Sequence, residues 1–409
     1  MGPPRADAAV RRILIAKGVR AFGDGFVSLL LPLYLLELGF SPFEVGVIAT
    51  ATLLGSGLAA LAVGLTAHRY HYRSMLLAAT ALMAATGLGF AGFTAFWPLF
   101  LIAIVGTLNP SSGDVSVFLP LEHAVMSRMV GNRERTSTFA RYSLVGSLAA
   151  AGGSLAAGLP QLLGAAAGLT PRAAMQAMFL LYALLGVAAA LAYRGLPRAL
   201  ESDAGEARAP LTRSKKTVYM LAALFSLDSF AGGFVVQSML ALWLYQKFAM
   251  SPATAGAIFF WTGIITSISY LVAVRIANRI GLVNTMVFTH IPANLCLIAI
   301  AFVPDLAAVI ALLCVRSALS QMDVPTRSSY VMAIVTPAER PAAASVTAVP
   351  RSLASAASPL IAGYLLTASG FGWPLVIAGA VKIAYDVLLL AMFRKVRPPE
   401  EAVAQSPAS

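Results

Sequence analysis

Charged residues are scarce in this chain of 409 residues: they make up 11% of it, whereas a soluble domain carries about 25%. Apolar residues make up 59%, and the mean hydropathy is +0.80. A soluble core of this size cannot bury so much apolar side chain. A bilayer accepts apolar surface, provided that each segment satisfies its own backbone polar groups. The shortage of charge therefore excludes an ordinary soluble protein and predicts a membrane protein.

Cysteine and histidine are also scarce, at two and four residues. Cys296 and Cys314 lie in apolar segments and have neither CxxC nor zinc-binding spacing, so we predict no disulfide and no metal site. No serine, aspartate and histidine pattern typical of a hydrolase stands out, so we predict neither an enzyme nor a bound cofactor. The first twelve residues lack a signal-peptide cleavage pattern, so we expect no cleaved leader.

Long apolar runs without strict alternation occupy most of the chain. They extend for about 20 residues or more, which is the length of a helix that crosses about 30 Å of hydrocarbon and is too long for barrel strands. The predicted spans are 13–37, 43–67, 74–93, 98–128, 137–163, 173–194, 217–247, 253–277, 284–303, 306–336, 341–368 and 373–394. The predicted fold class is an all-α membrane protein with about 12 transmembrane helices.

The longest polar stretch, residues 195–216, lies near the middle of the chain, with six spans on each side. Its charged composition, poor in apolar residues, is typical of a flexible linker. We therefore predict an N-terminal six-helix bundle over 1–194, a cytoplasmic linker over 195–216, a C-terminal six-helix bundle over 217–397 and a short cytoplasmic tail over 398–409.

Basic residues give the chain a net charge of +12, and they are distributed unevenly among the loops. About 20 of them fall in one alternating set of loops and at the chain ends, whereas the other set holds only Arg172 and Lys247. Basic residues accumulate in cytoplasmic loops, so both termini and the linker are predicted to be cytoplasmic. The same pattern favours a lipid bilayer over nucleic acid as the partner, and we expect the plasma (inner) membrane.

The two halves of the chain repeat short motifs in the same order. The matching pairs are Gly-Phe-Val at 25–27 and 233–235, Ser-Pro at 41–42 and 251–252, and Asp-Val at 114–115 and 323–324. Their offsets are 208, 210 and 209 residues. A near-constant offset indicates a six-helix unit repeated in parallel, since an even number of spans keeps both copies in one orientation.

This organisation resembles the major facilitator superfamily over nearly the whole chain. The family loop pattern, roughly G-x-x-x-D-R-x-G-R-R, is similar to GLTAHRYHYR at 64–73 and to ANRIG at 277–281, with His68 and Asn278 at the acidic position. The resemblance implies a secondary active transporter that works by alternating access. It also implies that Arg69, Arg73 and Arg279 act as a latch between the halves, and that helices 1, 4, 7 and 10 line the central path.

Ionisable side chains inside the membrane indicate function, because each costs about 2.5–3.5 kcal/mol to insert. Asp24 lies in the first helix between Gly23 and Gly25, which are expected to leave room for a substrate or water, and Asp228 lies at a similar depth in the seventh helix. Both, together with Arg20 on the same helix as Asp24, are candidates for carrying the coupling proton or contacting the substrate. The alternatives are a salt bridge between Asp24 and Arg20, and a hydrogen-bonded buried carboxyl at Asp228, capped by neighbouring serines.

Arg316 in the tenth helix has no acid within a turn, so it is a candidate for binding a carboxylate or phosphate group. Its alternative is a cross-helix partner such as Asp228 or Asp24. Lys382 and Asp386 are four residues apart on the twelfth helix, and we interpret them as a pair that neutralises itself. His123 and His290 are interpreted as satisfied polar residues.

Further charged residues are predicted to form cytoplasmic gates, with direct substrate binding as the alternative. The second-half candidates are Asp323 and Arg327, which are four residues apart on one face of the tenth helix, and Arg351. The first-half candidates are Asp114, Arg141 and Glu122. Pro325 is expected to kink the tenth helix, and the segment 109–113 to loosen the fourth.

The leading hypothesis is a monomeric, proton-coupled transporter of a small solute, with export favoured, and Arg316 suggests that the solute is anionic. An uptake permease or facilitator for an organic anion, and a non-transporting membrane receptor on the same fold, are the alternatives. The expected partners are the small-molecule substrate, protons and the lipid bilayer, without nucleic acid.

Overall fold

A computed structural model of the protein describes residues 4–66, 70–111, 116–129, 132–197, 214–335 and 339–394. These residues form helices and no strand, which confirms the all-α class. The helices are α1 (Pro4–Glu37), α2 (Pro42–Thr66), α3 (Tyr72–Gly92), α4 (Phe96–Val105), α5 (Phe118–Met129), α6 (Asn132–Leu155), α7 (Leu159–Ala167), α8 (Pro171–Arg194), α9 (Lys215–Gly233), α10 (Gln237–Phe248), α11 (Pro252–Ile280), α12 (Leu282–Phe302), α13 (Leu306–Leu319), α14 (Asp323–Ile334), α15 (Arg340–Ala368) and α16 (Trp373–Phe393). A 3₁₀ turn, Ala156–Gly158, joins α6 to α7.

Every predicted span coincides with one of these helices or with two consecutive ones. Within the described part of the chain, nine spans are long and apolar enough to cross a membrane. The three remaining predicted spans correspond to the α4–α5 pair, to the α13–α14 pair and to α15. The structure is therefore consistent with the predicted twelve transmembrane helices.

The fourth span is broken between α4 and α5. Pro110 has no N–H and disfavours a helical conformation at Asn109. The side-chain Oδ1 of Asn109 accepts hydrogen bonds from the backbone N–H of Ser111 at 3.1 Å and from its hydroxyl at 2.6 Å, which builds a local turn. The expectation that this segment loosens the fourth helix is confirmed.

The tenth span is also broken, between α13 and α14. Pro325 was expected to kink a continuous helix, but it falls in the first turn of α14, where its missing N–H costs no helical hydrogen bond. The break therefore comes before the proline, at residues 320–322. As a result, the fourth helix of each repeat consists of two segments.

Contacts divide the chain into two compact units. The first unit comprises residues 1–205, 236–263 and 359–370, and the second comprises residues 206–235, 264–358 and 371–409. The first unit thus contains the first eight helices together with α10 and parts of α11 and α15. The predicted bundle boundaries stay a prediction, and most of the predicted linker and the whole of the predicted tail lie outside the described residues.

Each unit has its own buried core. In the first unit α1 packs against α6 and α8, and α3 packs against α8, around side chains such as Leu76 and Val125. In the second unit α12 packs against α16, α13 and α14, and α16 packs against α9, around Leu221 and Met286. Each core also encloses a cluster of ionisable side chains.

Candidate functional site

Glu122 is the centre of a buried cluster in the first unit. Its fully buried carboxylate on α5 accepts hydrogen bonds from Arg20 Nη2 at 2.5 Å, Tyr142 OH at 2.6 Å and Tyr193 OH at 2.6 Å. These donors come from α1, α6 and α8. We call these four residues the Glu122 cluster. One cation and two hydroxyl donors offset the cost of burying the Glu122 carboxylate. The cluster therefore holds α5, the second segment of the fourth helix, against α1, α6 and α8.

Arg20 makes a second contact within the same unit. Its guanidinium carbon lies 3.8 Å from the centroid of the Phe118 ring, and the amino group of Lys17, on the preceding turn of α1, lies 4.9 Å from that of Tyr142. Both distances are within the range of cation–π attraction. The Arg20–Glu122 ion pair was absent from the sequence interpretation, which had paired Arg20 only with an acid of its own helix.

Asp24 is half-buried on α1 and lies within electrostatic range of Arg20 and Tyr182. The flanking glycines were expected to leave room for a substrate or water, and this expectation is wrong. A Cβ at Gly23 would lie 3.0 Å from the Tyr182 ring, and a Cβ at Gly25 would collide with a backbone carbonyl of α6. The glycines therefore serve close helix packing around Asp24.

Asp228 is the centre of the cluster in the second unit. It is 4% exposed and lies 13 residues into α9, about 20 Å along the helix. Its Oδ1 accepts a hydrogen bond from Lys382 Nζ on α16 at 2.5 Å, and its Oδ2 lies 3.2 Å from Arg327 Nη2 on α14. The neighbouring serines do not cap it: Ser226 donates to the Ala222 carbonyl, and Ser229 accepts from an arginine. Asp228 is thus a carboxylate held between two cations.

Arg327 joins Asp228 to the predicted gate. It forms an ion pair with Asp323 one turn earlier on α14, and its guanidinium carbon lies 5.2 Å from the centroid of the Phe225 ring. Sequence spacing predicted this i,i+4 pair, and the structure contains it. The coupling candidate and the gate pair, which were predicted as separate features, belong to one cluster because Arg327 contacts both carboxylates.

Lys382 and Asp386 do not act only as a pair that neutralises itself, so that interpretation is corrected. Lys382 bonds to Asp228, while the fully buried Asp386 lies within hydrogen-bonding distance of His290 Nδ1, at 2.9 Å, and accepts a hydrogen bond from Asn294 Nδ2 at 3.2 Å. The other ring nitrogen of His290, Nε2, lies 4.0 Å from Asp228 Oδ1. We call the following residues the Asp228 cluster: Asp228, His290, Asn294, Asp323, Arg327, Lys382 and Asp386.

Two arginines of the second unit have no carboxylate partner among the described residues. Arg351, half-buried on α15, donates from Nε to Ser229 Oγ at 3.1 Å and lies within electrostatic range of Arg327 and Asp228. Arg316, half-buried on α13, has its Nε shielded from solvent and without a hydrogen-bond partner in the described structure. The suggested pairing of Arg316 with Asp228 is not formed there.

Of the remaining predicted gate and latch residues, the three that the structure describes are not among the members of either cluster. Arg141 and Arg279 are exposed, and Arg73 is half-buried with its Nε unbonded in the part of the chain that the structure describes. Asp114 and Arg69 lie outside the described residues. The gate and latch roles of these five residues stay predictions.

Several cluster members were missed from the sequence, namely Tyr142, Tyr193, His290, Asn294 and Lys382. The signal for Lys382 and His290 was the cost of an ionisable group at membrane depth, which applies to every helix. For Lys382 the interpretation as a self-neutralising pair outweighs that signal, because the resemblance does not place the twelfth helix along the central path. For His290 the interpretation as a satisfied polar residue outweighs it. Nothing in the sequence identifies which of the many tyrosines donate to a carboxylate.

The sequence profile of the Major Facilitator Superfamily matches residues 13–315 and 222–408 of the chain. The chain belongs to the major facilitator superfamily. An uncharacterized membrane protein of Saccharomyces cerevisiae, YJR124C, is 25% identical over 410 residues, which cover 92% of each chain. Membership of the superfamily indicates a membrane transporter, as the residue pattern predicted.

Solved structures of superfamily transporters share this fold. A mutant of the nucleoside transporter NupG matches with a TM-score of 0.74 and 14% identity over 94% of this chain and 100% of that one. The human organic anion transporter MFSD10 (TETRAN) matches with a TM-score of 0.67 and 16% identity over 95% and 100%. At these identities the likeness establishes the fold and leaves the substrate open.

Proposed function

We propose that this superfamily member is a proton-coupled secondary transporter that exports a small anionic solute across the plasma (inner) membrane by alternating access. The observation that carries the proposal is the position of Asp228, buried at membrane depth between Lys382 and Arg327. The expectation that the chain is no enzyme accompanies it.

The charge of Asp228 supports proton coupling. When ionised, its carboxylate holds cations from α16 and α14 together, and these would otherwise repel each other in a medium of low dielectric constant. A proton on Asp228 removes that attraction and leaves Lys382 and Arg327 to find other partners. Protonation and helix arrangement are therefore linked, which is what proton-driven alternating access requires.

The guanidinium groups of Arg327 and Arg351 support an anionic solute. Arg327 uses Nη2 for its carboxylates, while its Nε and Nη1 are buried without partners among the described residues. Arg351, within electrostatic range, has only a serine hydroxyl as its hydrogen-bond partner there. A planar guanidinium binds carboxylate and phosphate groups through paired hydrogen bonds. Transport of organic anions by the structural neighbour MFSD10 agrees with this chemistry, although it is that protein's activity.

The experiment starts from cells with and without the protein. Untargeted comparison of their metabolites identifies an anion whose internal level falls when the protein is made. That anion is then used in proteoliposomes with an imposed pH gradient. We expect uptake into the lumen against its concentration gradient when the lumen is acidic, loss of gradient dependence in Asp228→Asn, and normal flux in Glu37→Gln, which makes the same acid-to-amide change at an exposed position.

The outcomes separate the proposal from its alternatives. Coupled proton and solute movement in the same direction would replace export by uptake. If the flux through the unmodified protein does not depend on the pH gradient, the mechanism is facilitated diffusion and not proton coupling. Binding of the anion without any flux would favour the receptor. Gradient-driven flux that is unchanged in Asp228→Asn would remove Asp228 from the coupling step.

A further inference from the structure

We propose that His290 and Asp386 form a proton relay to Asp228, so that the coupling proton travels through the α12–α16 contact. The inference deepens the proposed function and rests on Asp228 being the coupling carboxylate. It assigns a role to a histidine and a carboxylate on helices for which the superfamily resemblance implied no part in the central path.

The geometry of the imidazole carries the proposal. His290 is 3% exposed, and its two ring nitrogens face two different buried carboxylates. Nδ1 lies 2.9 Å and 3.1 Å from the two oxygens of Asp386, and Nε2 lies 4.0 Å from Asp228 Oδ1. An imidazole accepts a proton at one nitrogen and donates from the other, so a ring placed between two carboxylates can pass a proton between them.

The step balances without any further reactant. A hydronium ion protonates Asp386 and is left as water. This new O–H bond breaks as an N–H bond forms at Nδ1 of the His290 tautomer that carries its hydrogen on Nε2. The N–H bond at Nε2 then breaks as an O–H bond forms at Asp228 Oδ1. The ring is left as the other neutral tautomer, and the reverse transfer in the opposite half of the cycle resets it. The 4.0 Å gap closes by an approach of about 1 Å or by one bridging water.

The relay delivers its proton to Asp228 Oδ1, which is also the oxygen that accepts the hydrogen bond from Lys382. Lys382 Nζ and His290 Nε2 both approach Asp228 Oδ1, at 2.5 Å and 4.0 Å. A proton placed on Oδ1 therefore displaces the ammonium group, which cannot accept a hydrogen bond. Arrival of the proton and release of Lys382 become one event, which links the relay to movement of α16 against α9.

The ionisable groups around the imidazole come from three helices. Tyr385 on α16 places its ring centroid 6.2 Å from that of His290, edge to face. In the part of the chain that the structure describes, these groups are Asp386, Lys382 and Tyr385 on α16, Asp228 on α9 and Arg327 on α14. Lys382 and Arg327 contact the carboxylate at one end of the relay and not the ring. Asn294 donates to Asp386 and cannot titrate.

The test uses the purified full-length protein in lipid nanodiscs. Time-resolved infrared spectroscopy follows the carboxyl C=O band after a drop in pH, and the band lost in Asp228→Asn reports protonation of Asp228. His290→Asn keeps an amide that can donate to Asp386 but cannot transfer a proton. We expect this variant and Asp386→Asn to protonate Asp228 roughly a hundredfold more slowly. Glu37→Gln, which makes the same kind of acid-to-amide change at an exposed position outside the cluster, should keep the normal rate.

The alternatives give distinct results. A normal rate in His290→Asn would overturn the relay and leave Asp228 as a coupling carboxylate served by another route. Absence of any band that depends on Asp228 would overturn both the relay and its role in coupling. A purely structural histidine would lower thermal stability in His290→Asn without slowing protonation. If His290→Asn does not fold, Asp386→Asn decides the question from the other end.

Discussion

Arg20 and Asp228 occupy equivalent positions of the two repeats, 208 residues apart, and carry opposite charges. Each lies on the first helix of its half and forms an ion pair with the second segment of the broken fourth helix. Arg20 pairs with Glu122 on α5, and Asp228 pairs with Arg327 on α14. The same link between two helices is therefore built twice, with its charges exchanged.

The two links differ in how completely they are satisfied. Glu122 accepts from one arginine and two tyrosines, so its charge is matched by fixed donors. Asp228 shares its two cations with a cluster that also holds a histidine and two further carboxylates. The Arg20–Glu122 link is therefore a fixed structural contact. The Asp228–Arg327 link has several alternative pairings, which a switch requires.

The first prediction concerns the Lys382–Asp228 pair. Lys382→Met leaves a buried carboxylate with one partner fewer, and we expect a loss of about 3–5 kcal/mol in the free energy of unfolding. Combining it with Asp228→Asn should recover most of that loss, because Arg327 keeps Asp323 as a partner. Thermal unfolding in detergent measures both. In the control, Lys382→Met combined with Glu37→Gln, the effects should simply add; simple addition with Asp228→Asn as well would contradict a direct pair.

The second prediction concerns the Glu122 cluster. Glu122→Gln keeps the shape of the side chain but leaves Arg20 buried without its counter-charge. We expect a loss of stability of about 3–5 kcal/mol. Tyr193→Phe removes one hydrogen bond and should cost about 1–2 kcal/mol. Equal effects in the two variants, measured by the same thermal unfolding, would show that the charge of Glu122 is not the stabilising feature.

The third prediction concerns Arg351 as a gate residue. Arg351→Ala removes a cation that lies near both Arg327 and Asp228, so the protein should insert but shift its balance between conformations. Labelling of cysteines introduced along the cytoplasmic half of α15 measures the shift, after Cys296 and Cys314 have been replaced by serine. Ser229→Ala removes the hydrogen-bond acceptor and keeps the charge, and it should change labelling less. Identical labelling with and without Arg351 would contradict the gate.

The fourth prediction concerns Asp24. Asp24→Asn should be produced normally, because Glu122 still pairs with Arg20, but it should lose flux driven by a pH gradient while retaining solute exchange. Flux and exchange in reconstituted vesicles measure the two activities. Recovery of gradient-driven flux in the double variant Arg20→Gln with Asp24→Asn would instead show that Asp24 serves only to neutralise Arg20.

The fifth prediction concerns topology. Reporter fusions within 195–216 and at the C-terminus should both report the cytoplasm, because the loops on that side carry nearly all the basic residues. A fusion in the loop that contains Arg172 should report the opposite side and serves as the control. A linker signal from the far side of the membrane would contradict six spans in the first half.

The sequence alone determined the helical segments and the break in the fourth span. Length and hydropathy placed each of the twelve predicted spans on one helix or on two consecutive helices, because the thickness of a bilayer fixes how many apolar residues a helix needs. Asn109 and Pro110 predicted the break in the fourth helix, because both favour a turn over a helix. The spacing of Asp323 and Arg327 predicted their ion pair, because one helical turn brings the two side chains together.

Tertiary structure decided every partner that lies on another helix. Helical periodicity relates residues of one helix, but the rotation and depth of two packed helices depend on all the side chains between them. Spacing along one helix therefore predicted Asp386 as the partner of Lys382. In the structure, α16 packs against α9 and α12, so Lys382 bonds to Asp228 and Asp386 contacts His290. For the same reason, the partner of Arg20 is Glu122, which is 102 residues away in the sequence.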